Sequence, residues 1–210
     1  MTSSPIKALF LDFDSTMSTP IFVERVRKWA VADNVALFRS MTAEERLANL
    51  GGPERVATLR QLLLELVVAG VTLHVISIGY GTAFGPHLQE LGLMARDASS
   101  AATPATAAAA IAAGSGATAA TVCPICPSRV FGQDSHELRA VKFVKGVLIG
   151  QLMAASGWSL ADALFVDDSQ EHVDRAATVC RTLHIAHRRG MQKAEFGAIR
   201  AAAGLGSIAG

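Results

Sequence analysis

The chain has 210 residues, half of them hydrophobic, and a formal net charge of +1. A chain of this length can bury a core without a disulfide or metal staple, and its nearly neutral, scattered charge argues against a nucleic-acid or anionic-membrane partner. Three cysteines are an odd and sparse set. Together with the lack of a recognisable targeting segment or membrane-length apolar run, they predict a cytoplasmic protein. We expect a single domain over residues 1–210, and the sequence makes no prediction of its oligomeric state.

The first apolar run, Ala8–Phe13, carries Asp12 and Asp14 at its end. Residues two apart in a strand point to the same face, so both carboxylates can address one site. Two neighbouring carboxylates repel each other unless a cation or a shared proton relieves them. The pair therefore predicts a site for a hard, oxygen-preferring ion such as Mg²⁺ at the carboxyl end of a strand.

Residues 17–52 follow this strand as an insert before the next regular helix. Phe22, Val26 and Trp29 have helical spacing, which predicts a small helical lid with aromatic residues packed in its interior. A clearer helix is predicted over Pro53–Ala69, with proline at its start and a glycine directly after it.

The second strand is predicted over Val71–Ile78 and carries Ser77 near its end. Tyr80 and Gly81 follow at the same edge of the sheet. The sequence does not favour contact of these two residues with a substrate over the absence of such contact. Residues 95–121 are rich in alanine, serine, threonine and glycine. Their composition favours a flexible linker, the alternative being a capped helix that starts at Thr103.

Cys123 and Cys126 have the spacing of a metal or redox motif. A zinc site needs two further ligands, which only distant residues could supply. Buried or half-buried structural cysteines are therefore favoured over a zinc site or a redox switch.

A helix is predicted from about residue 136 to 155, and strands are predicted over Ala163–Val166 and Thr182–Ala186. Short apolar strands that alternate with helices predict an α/β fold with a mainly parallel sheet. Asp167 and Asp168 directly follow the strand predicted over Ala163–Val166, and His184 lies inside the strand predicted over Thr182–Ala186. We expect His184, like His74 in the second strand, to be a core histidine with its hydrogen bonds satisfied.

Arg188 and Arg189 follow the last strand. A solvated strand end is favoured for them over contact with an anionic substrate.

The order of these polar residues resembles the haloacid dehalogenase superfamily, in its phosphatase type with a small or minimal cap. The resemblance covers residues 5–16, 53–93 and 129–203, and it depends on one set of motif positions: Asp12, Asp14, Ser77, Lys145 and Asp168. It implies a haloacid dehalogenase-like Rossmannoid three-layer sandwich with a mainly parallel central sheet and a small helical insert after the first strand.

The resemblance also implies roles at the first motif. Asp12 is expected to be the nucleophile that forms an aspartyl-phosphate, and Asp14 the general acid and base. Thr16 is expected to hold the loop by hydrogen bonding. The metal ligands are expected to be Asp12, the backbone carbonyl of Asp14, and Asp168 with Asp167 beside it.

At the other motifs, Ser77 and Gly79 are expected to contact a phosphoryl oxygen and Lys145 to neutralise it. Lys142 lies one helical turn earlier, and Lys145 is preferred over it because of its distance from Asp167. His172 departs from the family pattern, since many members have an aspartate four residues after the ligand. Glu171 or Asp174 are candidate substitutes.

These assignments predict a Mg²⁺-dependent phosphomonoester hydrolase that acts through an aspartyl-phosphate on a small, soluble phosphorylated compound. Two alternatives stay open at this point. One is a phosphoserine-phosphatase-like enzyme, and the other is a catalytically silent binding module that retains the fold.

Overall fold

The computed structural model describes residues 4–114 and 122–206, and within them five strands form one sheet. Every pairing in this sheet is parallel, and the strand order is β3-β2-β1-β4-β5. The strands are β1 Ala8–Leu11, β2 Thr72–Ile76, β3 Val130–Phe131, β4 Ala163–Asp167 and β5 Arg181–His184. The predicted α/β fold with a parallel sheet is confirmed.

Ten α-helices accompany the strands in the described ranges. Three lie in the insert after β1, namely α1 Pro20–Val26, α2 Asn34–Ser40 and α3 Ala43–Asn49. The others are α4 Pro53–Val68, α5 Gly81–Glu90, α6 Pro104–Ala112, α7 His136–Ala140, α8 Lys145–Ser156, α9 Gln170–Ala176 and α10 Lys193–Ala202. In the described part of the chain, no helix combines the length and the apolar character needed to cross a membrane.

The central strands β1, β2 and β4 bury residues on both faces of the sheet, because side chains alternate along a strand. In β1, Leu9 and Leu11 belong to one apolar cluster, which includes residues of α4, α5 and α10. Ala8 and Phe10 belong to a second cluster on the opposite face, with residues of α8 and α9. Helices therefore cover both faces of the sheet, which gives three layers.

Because all five strands run the same way, their carboxyl ends meet at one edge of the sheet. β1 lies between β2 and β4, with Leu11 opposite Val75 and Val166. The residues directly after these three strands are consequently brought together, although they are far apart in the sequence.

The helix predicted from about 136 to 155 is two helices. Lys142 and Phe143 have φ angles of +52° and +63°, in the left-handed region, where an α-helix cannot continue. The break ends α7 and lets a new helix, α8, begin at Lys145.

The favoured prediction of a flexible linker over residues 95–121 is wrong for residues 104–112, which form α6. Thr103 caps this helix, because its side-chain oxygen accepts a hydrogen bond from the amide of Thr106, and Pro104 follows as the first helical residue. Ala107 and Ala110 are buried, since small side chains allow α6 to pack closely on α4. Residues 115–121 of the predicted linker lie outside the described residues.

The insert is joined to the core through the buried His87 of α5. The Nδ1–H of His87 donates to the carbonyl oxygen of Ala83 over 3.0 Å, and Nε2 of His87 accepts from the side-chain Nδ2 of Asn49 over 2.9 Å. Phe22 and Phe38 pack edge-on against the imidazole, as predicted for aromatic residues of the insert interior. The insert thus has a packed interface with α5.

Candidate functional site

The ammonium group of Lys145 lies between two carboxylates at the carboxyl edge of the sheet. Its Nζ is 2.5 Å from Oδ1 of Asp12, which follows β1, and 2.7 Å from Oδ2 of Asp167, which ends β4. All three side chains are at least 97% buried. Although burial alone would lower the pKa of Lys145, the negative charges of Asp12 and Asp167 raise it above its usual value. Lys145 is therefore a cation here.

The second carboxylate oxygen of Asp12, Oδ2, has no cation or hydrogen-bond donor comparable to the one that Lys145 offers to Oδ1 in the described part of the chain. Oδ2 is buried and makes no hydrogen bond to any residue within the described ranges, 4–114 and 122–206. Burial raises the pKa of Asp12 well above its usual value against the opposing effect of Lys145, and the charges of Asp167 and Asp14 add to the increase. Another positive group near Oδ2 would favour the ionised form of Asp12.

Asp14 projects toward the start of the loop that follows β2. A Cβ atom added to Gly79 would lie only 2.9 Å from Oδ2 of Asp14, so glycine is what allows this close approach. Burial raises the pKa of Asp14 to about 6. Ser77, which is fully buried, accepts a hydrogen bond at Oγ from the amide of Gly79 over 3.2 Å.

Asp168 lies on the other side of β1 and pairs with an arginine. The Nε of Arg188 donates to Oδ2 of Asp168 over 2.7 Å, and the carbonyl oxygen of Asp168 lies 3.1 Å from Nε2 of His184. Arg188 is exposed at the strand end, as favoured, with 65% of its side chain accessible, and it also pairs with Asp168 because the loop after β5 turns back over the sheet edge. The sequence draws attention to Arg188, but only the sheet order brings it to Asp168.

His172 contacts Asp167 in place of the additional aspartate of the family pattern. Its Nδ1 lies 3.3 Å from Oδ2 of Asp167, while Oδ1 of Asp167 accepts from the amide of Ser169 over 2.7 Å. Burial would raise the pKa of Asp167, but the hydrogen bonds from His172 and Lys145 and the charge of Lys145 lower it. The two suggested substitutes have partners within their own helix: Glu171 pairs with Arg175, and Asp174 accepts from Gln170.

Thr16 does not hold the loop in the predicted way. Its Oγ1 is buried and finds no hydrogen-bond partner in the described part of the chain. The backbone holds the segment instead, because the amide of Met191 donates to the carbonyl oxygen of Thr16 over 2.7 Å and that of Gly190 donates to Ser15 over 2.9 Å. Ser15 has a φ of +57°, so the loop that carries Asp14 adopts an uncommon conformation.

Arg55 is a further residue that no sequence pattern indicates. This half-buried guanidinium of α4 donates to the carbonyl oxygens of Thr16, Met17, Leu50 and Met191. Burial lowers its pKa to about 10, so it is still charged near neutrality. No motif marks it, because its partners are backbone atoms that come together only in the fold.

Three carboxylates have the arrangement needed for a metal ion. Ligand oxygens of Asp12, Asp167 and Asp168 all lie within 4.8 Å of one another, and the unpartnered Oδ2 of Asp12 is one of the buried oxygens in this region. An all-oxygen set of carboxylates suits Mg²⁺. The residues present therefore fit a divalent cation.

A cleft with a volume of about 420 Å³ opens above these groups, and its floor includes Asp14 and Asp168. One wall comes from the insert and contains Val23, Val26 and Trp29. Trp29 is only half-buried, so the prediction that it packs in the interior of the insert is wrong. The remaining lining residues come from the insert and from the loops that follow β1, β2, β3 and β5: Ser15, Arg27, Val31, Asn34, Ile78, Gly79, Tyr80, Gln133 and Arg188.

Other candidates lie away from this cluster or behave differently from expectation. Lys142 is exposed in the turn before α8, so the preferred Lys145 is the lysine that reaches Asp12. Cys123 and Cys126 are half-buried free thiols, as favoured. The prediction of satisfied hydrogen bonds is wrong for His74, whose ring nitrogens have no partner in the described ranges while its ring stacks on Phe10.

Comparison with known proteins gives structural matches alone, since no protein-family model and no curated protein matches the chain. Similar structures include a haloacid dehalogenase-like family hydrolase from Streptococcus pneumoniae, with 16% identity, a TM-score of 0.43, and coverage of 95% of this chain and 92% of the other. The cobalt-bound deoxy-D-mannose-octulosonate 8-phosphate phosphatase from Haemophilus influenzae has 10% identity and a TM-score of 0.44, with coverage of 97% and 92%.

A third similar structure is a phospho-aspartyl intermediate analogue of phosphoserine phosphatase. It has 16% identity and a TM-score of 0.38, with coverage of 83% of this chain and 85% of the other. These neighbours are described as haloacid dehalogenase-like hydrolases or phosphatases, the kind of protein that the sequence motifs resemble. The residues of the site, and not these distant similarities, carry the evidence for how this chain acts.

Proposed function

We propose that this protein is a Mg²⁺-dependent phosphomonoester hydrolase that acts through an aspartyl-phosphate on a small phosphorylated compound. The observation that supports it best is the position of Asp12. One of its oxygens is held by Lys145 at 2.5 Å, and the other is buried without a partner among the residues described. A carboxylate that is oriented on one side and open on the other is suited to act as a nucleophile.

In the first step, an oxygen of Asp12 attacks phosphorus and the bond from phosphorus to the leaving oxygen breaks. The protonated carboxyl of Asp14 gives its proton to that leaving oxygen. The raised pKa of Asp14, about 6, favours this role because an ordinary aspartate holds almost no proton near neutrality. Lys145 and Ser77 face the same edge and would hold the phosphoryl oxygens.

In the second step, Asp14 accepts a proton from water, and the water oxygen attacks phosphorus. The bond between phosphorus and Asp12 then breaks, which releases inorganic phosphate and regenerates both carboxyl groups in their starting forms. Asp12 and Asp168 would hold the cation, with Asp167 beside them and the carbonyl of Asp14 as the expected further ligand. A Mg²⁺ ion bound there would offset the charge of the phosphoryl oxygens.

The direct test is hydrolysis of p-nitrophenyl phosphate with Mg²⁺ by the native protein and by Asp12→Asn. We expect turnover by the native protein and its loss in the variant, with an unchanged far-ultraviolet circular dichroism spectrum. Turnover that survives in Asp12→Asn would exclude the aspartyl-phosphate route. Absence of turnover in the native protein over a panel of phosphorylated metabolites would favour a silent binding module.

A further inference from the structure

The cleft above Asp14 also carries information about the leaving group. Resting on the proposed function, we infer that the substrate is a small phosphomonoester whose leaving group has an apolar, ring-sized body and a second anionic group. The body would lie against the insert, and the anionic group would be bound by Arg27.

The size of the cleft favours a small molecule. Its volume is about 420 Å³, which falls in the range of roughly 300–1,000 Å³ that is typical of small-molecule sites. Asp14, the proposed proton donor, lines this cleft, so a leaving group that takes its proton from Asp14 would occupy it.

The wall formed by the insert is apolar. Val23, Val26, Trp29 and Val31 line it, and Tyr80 contributes an aromatic ring from the loop after β2. Val31 is 46% exposed, and Trp29 is only half-buried. A short polyol or an amino acid would leave this surface in contact with water, whereas a ring or a branched hydrocarbon would cover it.

Arg27 is the cation of the cleft that lacks a hydrogen-bond or ion-pair partner for its side chain in the described ranges. The other lining arginine, Arg188, is bound through Nε to Asp168. Arg27 and Asp14 line the same cleft. A planar guanidinium with free donors binds carboxylate or phosphate oxygens through paired hydrogen bonds.

Lys28 provides a matched control for Arg27. It is the next residue, it is exposed, and it carries the same charge, but it does not line the cleft. A general effect of removing one positive charge from the insert would therefore appear in Lys28→Gln as well as in Arg27→Gln.

The experiment compares kcat/KM for four phosphomonoesters with Mg²⁺: phenyl phosphate, 4-carboxyphenyl phosphate, 1,4-phenylene bisphosphate and glycerol phosphate. Each variant is compared with the native protein on the same substrate, which cancels differences in leaving-group reactivity. Arg27→Gln should lower kcat/KM by roughly tenfold, the scale of a lost charge-assisted hydrogen bond, for one or both substrates with a second anion. Comparison of 4-carboxyphenyl phosphate with 1,4-phenylene bisphosphate shows whether Arg27 prefers a carboxylate or a phosphate as the second anion.

The remaining arms complete the test. Arg27→Gln should lower kcat/KM less for phenyl phosphate than for the substrates with a second anion, Trp29→Ala should lower it more for every aryl substrate than for glycerol phosphate, and Lys28→Gln should change none. An effect of Arg27→Gln on phenyl phosphate equal to its effects on both substrates with a second anionic group, or no effect on either of those two, would overturn the inference while turnover persists. Absence of turnover for all phosphomonoesters would instead overturn the proposed function.

Discussion

Arg55 donates a hydrogen bond from Nη1 to the carbonyl oxygen of Met17 over 2.7 Å. Met17 is where the chain leaves the sheet edge for the insert. The same nitrogen donates to the carbonyl oxygen of Leu50 over 2.5 Å, where the chain returns. One side chain thus holds both ends of the insert, and it also reaches Thr16, two residues from Asp14.

We therefore expect Arg55 to position Asp14 without touching the substrate. Arg55→Gln should lower kcat for p-nitrophenyl phosphate by about 10- to 100-fold, the scale of a small misplacement of a catalytic group, with little change in KM. Guanidinium added at low concentration to Arg55→Ala should restore part of kcat. Steady-state kinetics measures both effects.

Arg60 is the matched control for this prediction. It lies on the same helix and also donates to backbone carbonyls, those of Gly92 and Val122, but these lie away from the cleft. Arg60→Gln should leave kcat unchanged and gain nothing from guanidinium. If Arg60→Gln and Arg55→Gln have the same kinetics, Arg55 has only a structural role.

Removal of Lys145 should destabilise the protein. In Lys145→Met, Asp12 and Asp167 remain buried without their shared cation, and loss of one partner of a buried pair costs about 3–5 kcal/mol. Urea unfolding should show this decrease in the free energy of unfolding, and Asp12→Asn in the same chain should recover part of it. The exposed Lys142→Met should leave stability unchanged. No recovery in the double variant would contradict an electrostatic origin.

Metal dependence should follow Asp168 and not the acidic residues of α9. Chelation of divalent cations should abolish turnover, and Asp168→Asn should raise the Mg²⁺ concentration required for half-maximal activity by about tenfold or more. Asp174→Asn is the control, because Asp174 is exposed and accepts a hydrogen bond from Gln170 of the same helix. An unchanged Mg²⁺ requirement in Asp168→Asn would remove this residue from the ligand set.

The packing of the insert should make the protein sensitive to acid. Burial lowers the pKa of His87 from 6.5 to about 4, so the unfolded chain binds a proton that the native state does not. Stability is then complete above about pH 6.5 and falls as the pH decreases toward 4, by up to roughly 1.4 kcal/mol per pH unit for this residue.

Urea unfolding at several pH values tests this expectation. His87→Gln should weaken the dependence of the free energy of unfolding on pH between about 6.5 and 4. Asn49→Ala removes the hydrogen bond to His87 but no titrating group, so it should lower stability and still show a dependence on pH in this range. An equal pH dependence in the native protein and His87→Gln would show that His87 does not contribute.

Much of the site was predictable, because an apolar strand followed directly by a polar residue is a local pattern. Asp12, Ser77 and Asp167 each follow such a run, and a parallel sheet brings strand ends to one edge. The choice between Lys142 and Lys145 depended on distance along the chain, and the structure places Lys145 against Asp12. Two consecutive left-handed residues, Lys142 and Phe143, create the turn that presents it.

The remaining features depend on contacts between distant segments, which a sequence pattern does not record. Arg55 binds backbone carbonyls, so neither partner has a characteristic residue type. Arg188 reaches Asp168 only because β5 lies beside β4 at the end of the sheet. The linker prediction for residues 104–112 failed because an alanine-rich composition is compatible with both a linker and a closely packed helix.

The proposed mechanism transfers a phosphoryl group to Asp12 and releases it as phosphate with the help of Asp14. The most direct measurement is the mass of the Asp12 peptide after Asp14→Asn is mixed with p-nitrophenyl phosphate and Mg²⁺ and quenched with acid. Because p-nitrophenolate leaves without a proton while hydrolysis of the acyl phosphate needs a base, we predict that one phosphoryl group accumulates on Asp12. A quenched protein with no phosphoryl group, or with one on another residue, would contradict the mechanism.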